Sequence, residues 1–149
     1  MSTAVLEQEE QLVAFRLGGE TYGIPISLVH EIIRCSEITQ VPRTAEYVRG
    51  VINLRGKVVP VLDLRLRLGL PPIEETRTTR IVVVEVENGI IGMIVDAVSE
   101  VLRLPMSQIE PPSELVASIE TDLIRGVGKR DQDLVILLDI YKTLKVHLE

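Results

Sequence analysis

The sequence is poor in the residues that most often announce a chemistry. It has one cysteine, Cys35, one phenylalanine, no tryptophan, and aromatics at only 3%. A lone cysteine excludes an internal disulfide and fits a reducing compartment. So few aromatics remove the stacking platforms on which single-strand nucleic-acid binders depend. Positive charge is short as well: 16 Lys and Arg face 22 Asp and Glu, a net charge of −6 that repels phosphate backbones. No apolar run approaches the roughly 20 residues needed to cross a bilayer, and the N-terminus lacks a signal peptide's basic and apolar regions. The expectation is a cytoplasmic protein with no nucleic-acid partner and no membrane insertion.

What is abundant is Val, Ile and Leu, within 46% hydrophobic and 26% charged residues over 149 positions. That balance is globular, and the length fits one domain or two very small ones sharing a core. Branched side chains pack well on a pleated surface, so a mainly β fold is expected. Residues 1–10, ending Leu6-Glu7-Gln8-Glu9-Glu10, read as a flexible acidic tail, and 11–149 as one domain.

That domain repeats itself. Leu12–Arg34 lies over Ile81–Arg103 without a gap: Val13 meets Val82, Gly23 meets Gly92, Val29 meets Val98, Glu31 meets Glu100, and Arg34 meets Arg103. Val48–Gly69 lies over Ile124–Lys145 in the same way. There Arg49-Gly50-Val51 falls on Arg125-Gly126-Val127, Val59 on Val135, and Leu62-Asp63 on Leu138-Asp139. The pseudo-repeats cover 11–69 and 80–145, and 70–79 with Pro71-Pro72 is a linker.

Each repeat reads as short strands. Leu12–Leu17 and Thr21–Ile26 flank the turn Gly18-Gly19, and Ile81–Val86 and Ile90–Val95 flank Asn88-Gly89. A third strand lies near Glu31–Arg34. Loops marked by Val41-Pro42 and Pro111-Pro112 follow. Gly50–Leu54 with Val58–Leu62, and Gly126–Lys129 with Leu134–Leu138, complete the pattern. Five short strands per half describe a small antiparallel barrel, which also disposes of open sheet edges. Neither half buries much core alone, so two packed barrels are expected, with exchange of strands between them left open. Asp63 and Asp139 each close a strand and suit helix N-capping, and Gly69 suits a helix end. Leu64-Arg65-Leu66-Arg67-Leu68 alternates like a strand, so periodicity leaves helix and strand both open there.

Catalytic machinery is not found. Cys35 and His30 lack an orienting third group, and His147 stands almost at the C-terminus. No Cys/His spacing fits zinc. Gly50 and Gly56-Lys57 have the wrong spacing for a phosphate loop, with Val58 where Ser or Thr should bind magnesium, and Gly126-Val127-Gly128-Lys129 is shorter still. Asp63, Asp96 and Asp139 offer an acid triad only on paper, because Asp63 and Asp139 are repeat equivalents and suit a shared structural duty. No catalytic residue, metal or cofactor is expected, and the sequence reads as a binding module.

Duplication also separates shared structure from candidate function. The turn Asn53-Leu54-Arg55-Gly56-Lys57 differs from its counterpart Lys129-Arg130-Asp131-Gln132-Asp133, an ordinary charged tip. Apolar Leu54 beside Arg55, with Gly56 permitting a tight reversal, suits a protein interface, where Arg is enriched; an ordinary solvated turn is the plainer alternative. Glu31, matched by Glu100, suits a shared salt bridge as well as a partner contact.

These segments resemble the CheW family of chemotaxis coupling proteins over nearly the whole chain. The likeness is carried by Tyr22-Gly23-Ile24-Pro25-Ile26, Val29-His30-Glu31-Ile32-Ile33-Arg34, Val48-Arg49-Gly50-Val51-Ile52-Asn53-Leu54-Arg55-Gly56, Val59-Pro60-Val61-Leu62-Asp63-Leu64-Arg65, Gly92-Met93-Ile94-Val95-Asp96 and Ile124-Arg125-Gly126-Val127-Gly128. The resemblance implies two SH3-like five-stranded β-barrels. It implies a non-enzymatic adaptor binding the regulatory domain of the histidine kinase CheA and the helical cytoplasmic tip of chemoreceptors. It implies recruitment to receptor arrays at the inner face of the membrane, with weak self-association there. The receptor-binding positions it implies are Val29, Glu31, Gly50, Asn53, Leu54 and Arg55; Gly56, Asp63, Gly126 and Asp139 are read as turn or cap residues. The alternative is a small β-barrel module for a ligand or a nucleic acid, which calls for a basic or aromatic surface.

Overall fold

Branched residues in alternation, punctuated by turn glycines, give eleven strands and two short helices among the described residues. The computed structural model describes residues 8–35, 37–42, 44–87, 89–112 and 121–144. Residues 1–7 of the acidic segment, Asn88, His147 and the repeat end at Lys145 lie outside the described residues. In chain order the elements are β1 (Glu9–Leu17), β2 (Glu20–Pro25), β3 (Val29–Arg34), β4 (Val48–Leu54), β5 (Lys57–Asp63), α1 (Leu64–Arg67), β6 (Arg80–Val86), β7 (Gly89–Val95), β8 (Ala97–Pro105), β9 (Ile109–Glu110), β10 (Ile124–Arg130), β11 (Asp133–Leu138) and α2 (Ile140–Leu144).

Two sheets result. One has the order β8-β1-β2-β11-β10-β9, the other β3-β6-β7-β5-β4. Each sheet thus draws on both repeats: hairpin β1–β2 joins β8–β11, and hairpin β6–β7 joins β3–β5. The joins are the parallel pairs, β2 with β11 and β7 with β5. A tight turn at Ile26–Leu28 carries the chain from one sheet to the other after β2, and Asp96 does so between β7 and β8. The first sheet has six strands where five were expected, because β9 adds a two-residue pairing to β10 that no periodicity announces. β1 begins at Glu9, so the last two residues of the stretch read as a tail belong to the sheet, opposite Pro105 and Leu104.

Alternation along the strands builds three cores. Leu12, Ala14, Leu102, Leu104, Val135 and Leu137 fill the first barrel. Ile52, Val59, Val61, Ile81 and Val83 fill the second. The other faces of the same strands, including Val13, Phe15, Tyr22, Leu62, Val82, Val84, Met93 and Leu138, form the largest cluster, between the barrels. Runs such as Ile81-Val82-Val83-Val84 are apolar throughout because both faces are buried. The fold is therefore a pair of SH3-like barrels sharing a core.

Leu64–Arg67 is helical despite the alternation of this stretch. The Asp63 carboxylate accepts the N–H groups of Arg65 (3.0 Å) and Leu66 (3.5 Å), and Gly69 leaves the helix at φ +81°. From α1, Arg65 reaches Asp96 at 2.6 Å, and Asp96 also accepts the Gly18 N–H at 2.8 Å. Arg67 donates to the Thr143 carbonyl at 2.8 Å. One turn of helix thereby ties the second barrel to two elements of the first.

Candidate functional site

The β4–β5 turn is shaped by its own residues. Asn53 Oδ1 accepts the Gly56 N–H at 2.8 Å. Arg55 and Gly56 take φ of +51° and +88°, the left-handed region that a non-glycine residue enters at a cost. Leu54 anchors the turn against the second barrel's core. Arg55 is left with its side chain 69% exposed, and its Nη2 donates to Glu31 Oε2 on β3. Since β3 and β4 are the two edges of their sheet, this ion pair helps to close the barrel.

The other barrel has an analogous bridge built from the neighbouring position: Asp131, the counterpart of Arg55, has φ +55°, and Arg130, the counterpart of Leu54, meets Glu100 at 2.9 Å. The Glu–Arg bridge is thus duplicated, and its surroundings distinguish the two copies. Beside Glu31–Arg55 lies a groove of about 1230 Å³, walled by β5, the β6–β7 hairpin and α2. Val58, 72% exposed, and Tyr141, 51% exposed, give it apolar surface. His30, Lys57, Glu85 and Lys142 supply the charged and polar lining. An apolar surface edged by both signs of charge is suited to one face of an amphipathic helix.

The remaining sequence-derived positions lie beneath this surface. Gly50 is buried at φ +142°, where a Cβ would overlap the carbonyl oxygen of Thr39; Thr39 and Val51 bond to each other through both N–H groups there. Gly126 is the equivalent crossing, with Glu110 O 2.8 Å from where a Cβ would stand. Val29 is half-buried against the central core. Glu31 and Arg55 are therefore presented, Asn53 and Leu54 shape the turn, and Val29 and Gly50 support it from within. Asp63 caps α1 and meets Arg49 at 3.0 Å, while Asp139 accepts the Lys142 N–H at 3.0 Å. The sequence does not mark the groove residues Val58, Tyr141, Lys57 and His30 as partner contacts. Val58 had one readable signal, an apolar residue directly after a polar turn.

The candidate catalytic groups are spent elsewhere. Burial, and then the charge and hydrogen bond of Glu75, push the Cys35 thiol up, opposite to what a nucleophile needs. Asp63, Asp96 and Asp139 serve separate caps and ion pairs. Among the described residues no group of three or more His, Cys, Asp and Glu is placed to hold a metal, and no helix is long and apolar enough to cross a membrane.

Comparison with known proteins agrees with this architecture. Residues 11–147 match the CheW-like domain. The chain is 35% identical to the chemotaxis protein CheW of Klebsiella aerogenes, over 91% of this chain and 81% of that one. It is 37% identical to the chemotaxis protein CheW of Helicobacter pylori, over 93% and 84%. The crystal structure of the scaffolding protein TtCheW from Thermoanaerobacter tengcongensis superposes with a TM-score of 0.86 at 36% identity, covering 98% of this chain and 94% of that one.

Proposed function

The chain belongs to the CheW family, non-enzymatic scaffolds of chemotaxis, and on that premise we propose that it couples the helical cytoplasmic tips of chemoreceptors to the regulatory domain of the histidine kinase CheA. The observation that carries this reading is the exposed Arg55, held by Glu31 in a left-handed turn beside an open, partly apolar groove. A receptor helix lays its apolar face in that groove and offers a carboxylate to Arg55. The face is built from Val29, Glu31, Gly50, Asn53, Leu54 and Arg55, of which Glu31 and Arg55 make contact and the others hold them in place. The kinase engages a separate part of the surface, so both partners are held at once at receptor arrays on the inner face of the membrane.

No chemistry is required of such a protein. A shared core between the barrels makes it a stiff body, and a stiff body passes a change of receptor pose to the kinase as a change of orientation. The coupling lies in contacts that differ between signalling states. Calorimetric titration with a receptor cytoplasmic fragment, and separately with a CheA regulatory domain, tests the assignment. Wild type binds both, and Arg55→Asp loses the receptor selectively. Wild type binding neither, or Arg55→Asp binding the receptor fragment unchanged, contradicts it.

A further inference from the structure

His30 stands where the fold is duplicated but the residue is not. Pairing of β3 with β6 steps from Val29↔Val84 to Glu31↔Val83, which leaves His30 as the extra residue of a bulge. Pairing of β8 with β1 steps likewise from Val98↔Phe15 to Glu100↔Ala14, leaving Ser99. The bulge is a property of the repeated barrel, and serine serves it as well as histidine. Bulges re-aim side chains, and this one turns His30 into the groove wall. There Nε2 lies 4.0 Å from Glu31 Oε2, and Nδ1 lies 3.9 Å from Glu85 Oε1. That Glu31 oxygen is the one holding Arg55.

We infer that protonation of His30 tunes how firmly Glu31 holds Arg55, and thereby how available Arg55 is to a carboxylate on a docking helix. Histidine is the side chain that ordinarily changes charge between pH 5 and 8. A neutral ring leaves Glu31 to the guanidinium. An imidazolium has donors on both nitrogens, each facing a carboxylate, and it draws Glu31 Oε2 away from Arg55 while bridging to Glu85. The other ionisable groups lining the groove are Lys57 on β5, Glu87 in the β6–β7 turn, and Asp139, Tyr141 and Lys142 at α2. Among the described residues around the groove, His30 and Arg55 face one and the same carboxylate oxygen, that of Glu31.

The functional half of this inference rests on the docking role proposed for Arg55, so its test has two arms. In the free protein, the Arg55 side-chain Nε resonance is followed by NMR from pH 5 to 8 in wild type and His30→Ser. It moves across that pH range in wild type and stays still in the variant. In the second arm, a receptor cytoplasmic fragment binds wild type about two- to fivefold more tightly at pH 6 than at pH 8, and His30→Ser shows no such gain. An Arg55 resonance that ignores His30, or equal pH dependence in both proteins, overturns the inference. Wild type that binds the fragment at neither pH overturns the docking role instead, and the resonance arm still decides the competition for Glu31.

Discussion

Replacing Gly50 by alanine separates structural support from partner contact at the proposed docking face. Gly50 sits at φ +142°, and an added Cβ would overlap the Thr39 carbonyl oxygen. The Thr39 segment cannot withdraw freely, because Val51 N donates to Thr39 O at 2.8 Å and Thr39 N to Val51 O at 2.9 Å. Forcing an L-residue into such a conformation costs about 1–3 kcal/mol, and overpacking a buried contact adds about 1–3 kcal/mol. A loss of about 3–5 kcal/mol is a large part of the roughly 5–15 kcal/mol available to a domain. Gly56→Ala is the control: φ is +88° but nothing lies within 4 Å of the added atom, so only the backbone term of about 1–2 kcal/mol applies. Urea unfolding at matched m-values reads both, and Gly50→Ala also melts roughly 10 °C lower. Equal or smaller loss for Gly50→Ala than for Gly56→Ala would mean that the Thr39 carbonyl does not dictate glycine at position 50.

The other expectations use the same logic. Asp63→Ala, which removes two cap bonds and the Arg49 pair, costs about 2 kcal/mol in the same assay, and Asp139→Ala, with one cap bond to a backbone N–H, about 1 kcal/mol; the reverse order would contradict the assignment of the caps. Burial, then Glu20, push the Tyr22 phenol from 10.0 up to about 12, with Arg65 pulling the other way. The native state therefore keeps a proton that the unfolded chain releases, so stability is full below pH 10 and falls as pH rises toward 12. Wild type should lose about 2–3 kcal/mol more than Tyr22→Phe across that window, and parallel pH profiles would exclude it. Iodoacetamide should modify Cys35 at neutral pH more slowly than it modifies glutathione, since the thiol is pushed up by burial and Glu75. A faster reaction would disprove that environment. Phe15→Ala, which empties the core between the barrels, should cost about 3–5 kcal/mol and leave one cooperative transition; barrels melting separately would deny the shared core.

Much of the architecture is legible because duplication marks what the fold requires. Gly50 and Gly126 recur since a neighbouring backbone crosses each of them, and Asp63 and Asp139 recur since each starts a helix. The destination of each hairpin is another matter. A period of two says which faces are buried but not which strand lies alongside, so the placement of β1–β2 beside β11 and of β6–β7 beside β5 appears only in three dimensions. β9 is too short to carry a period at all. At the candidate site the Arg55 turn is readable from Leu54 and Gly56, whereas His30 enters the groove through a bulge that no spacing betrays. Tyr141 reaches the same groove from the far end of the chain.

If one molecule bridges both proposed partners, sedimentation of receptor-bearing membranes will carry the kinase down with it. A chemoreceptor in vesicles is mixed with purified CheA, with and without this protein, and the pelleted kinase is measured. Kinase should enter the pellet in proportion to added wild-type protein and fail to do so with Arg55→Asp, while that variant still binds kinase in solution. Kinase that pellets equally without the protein, or equally with Arg55→Asp, would contradict the bridging role.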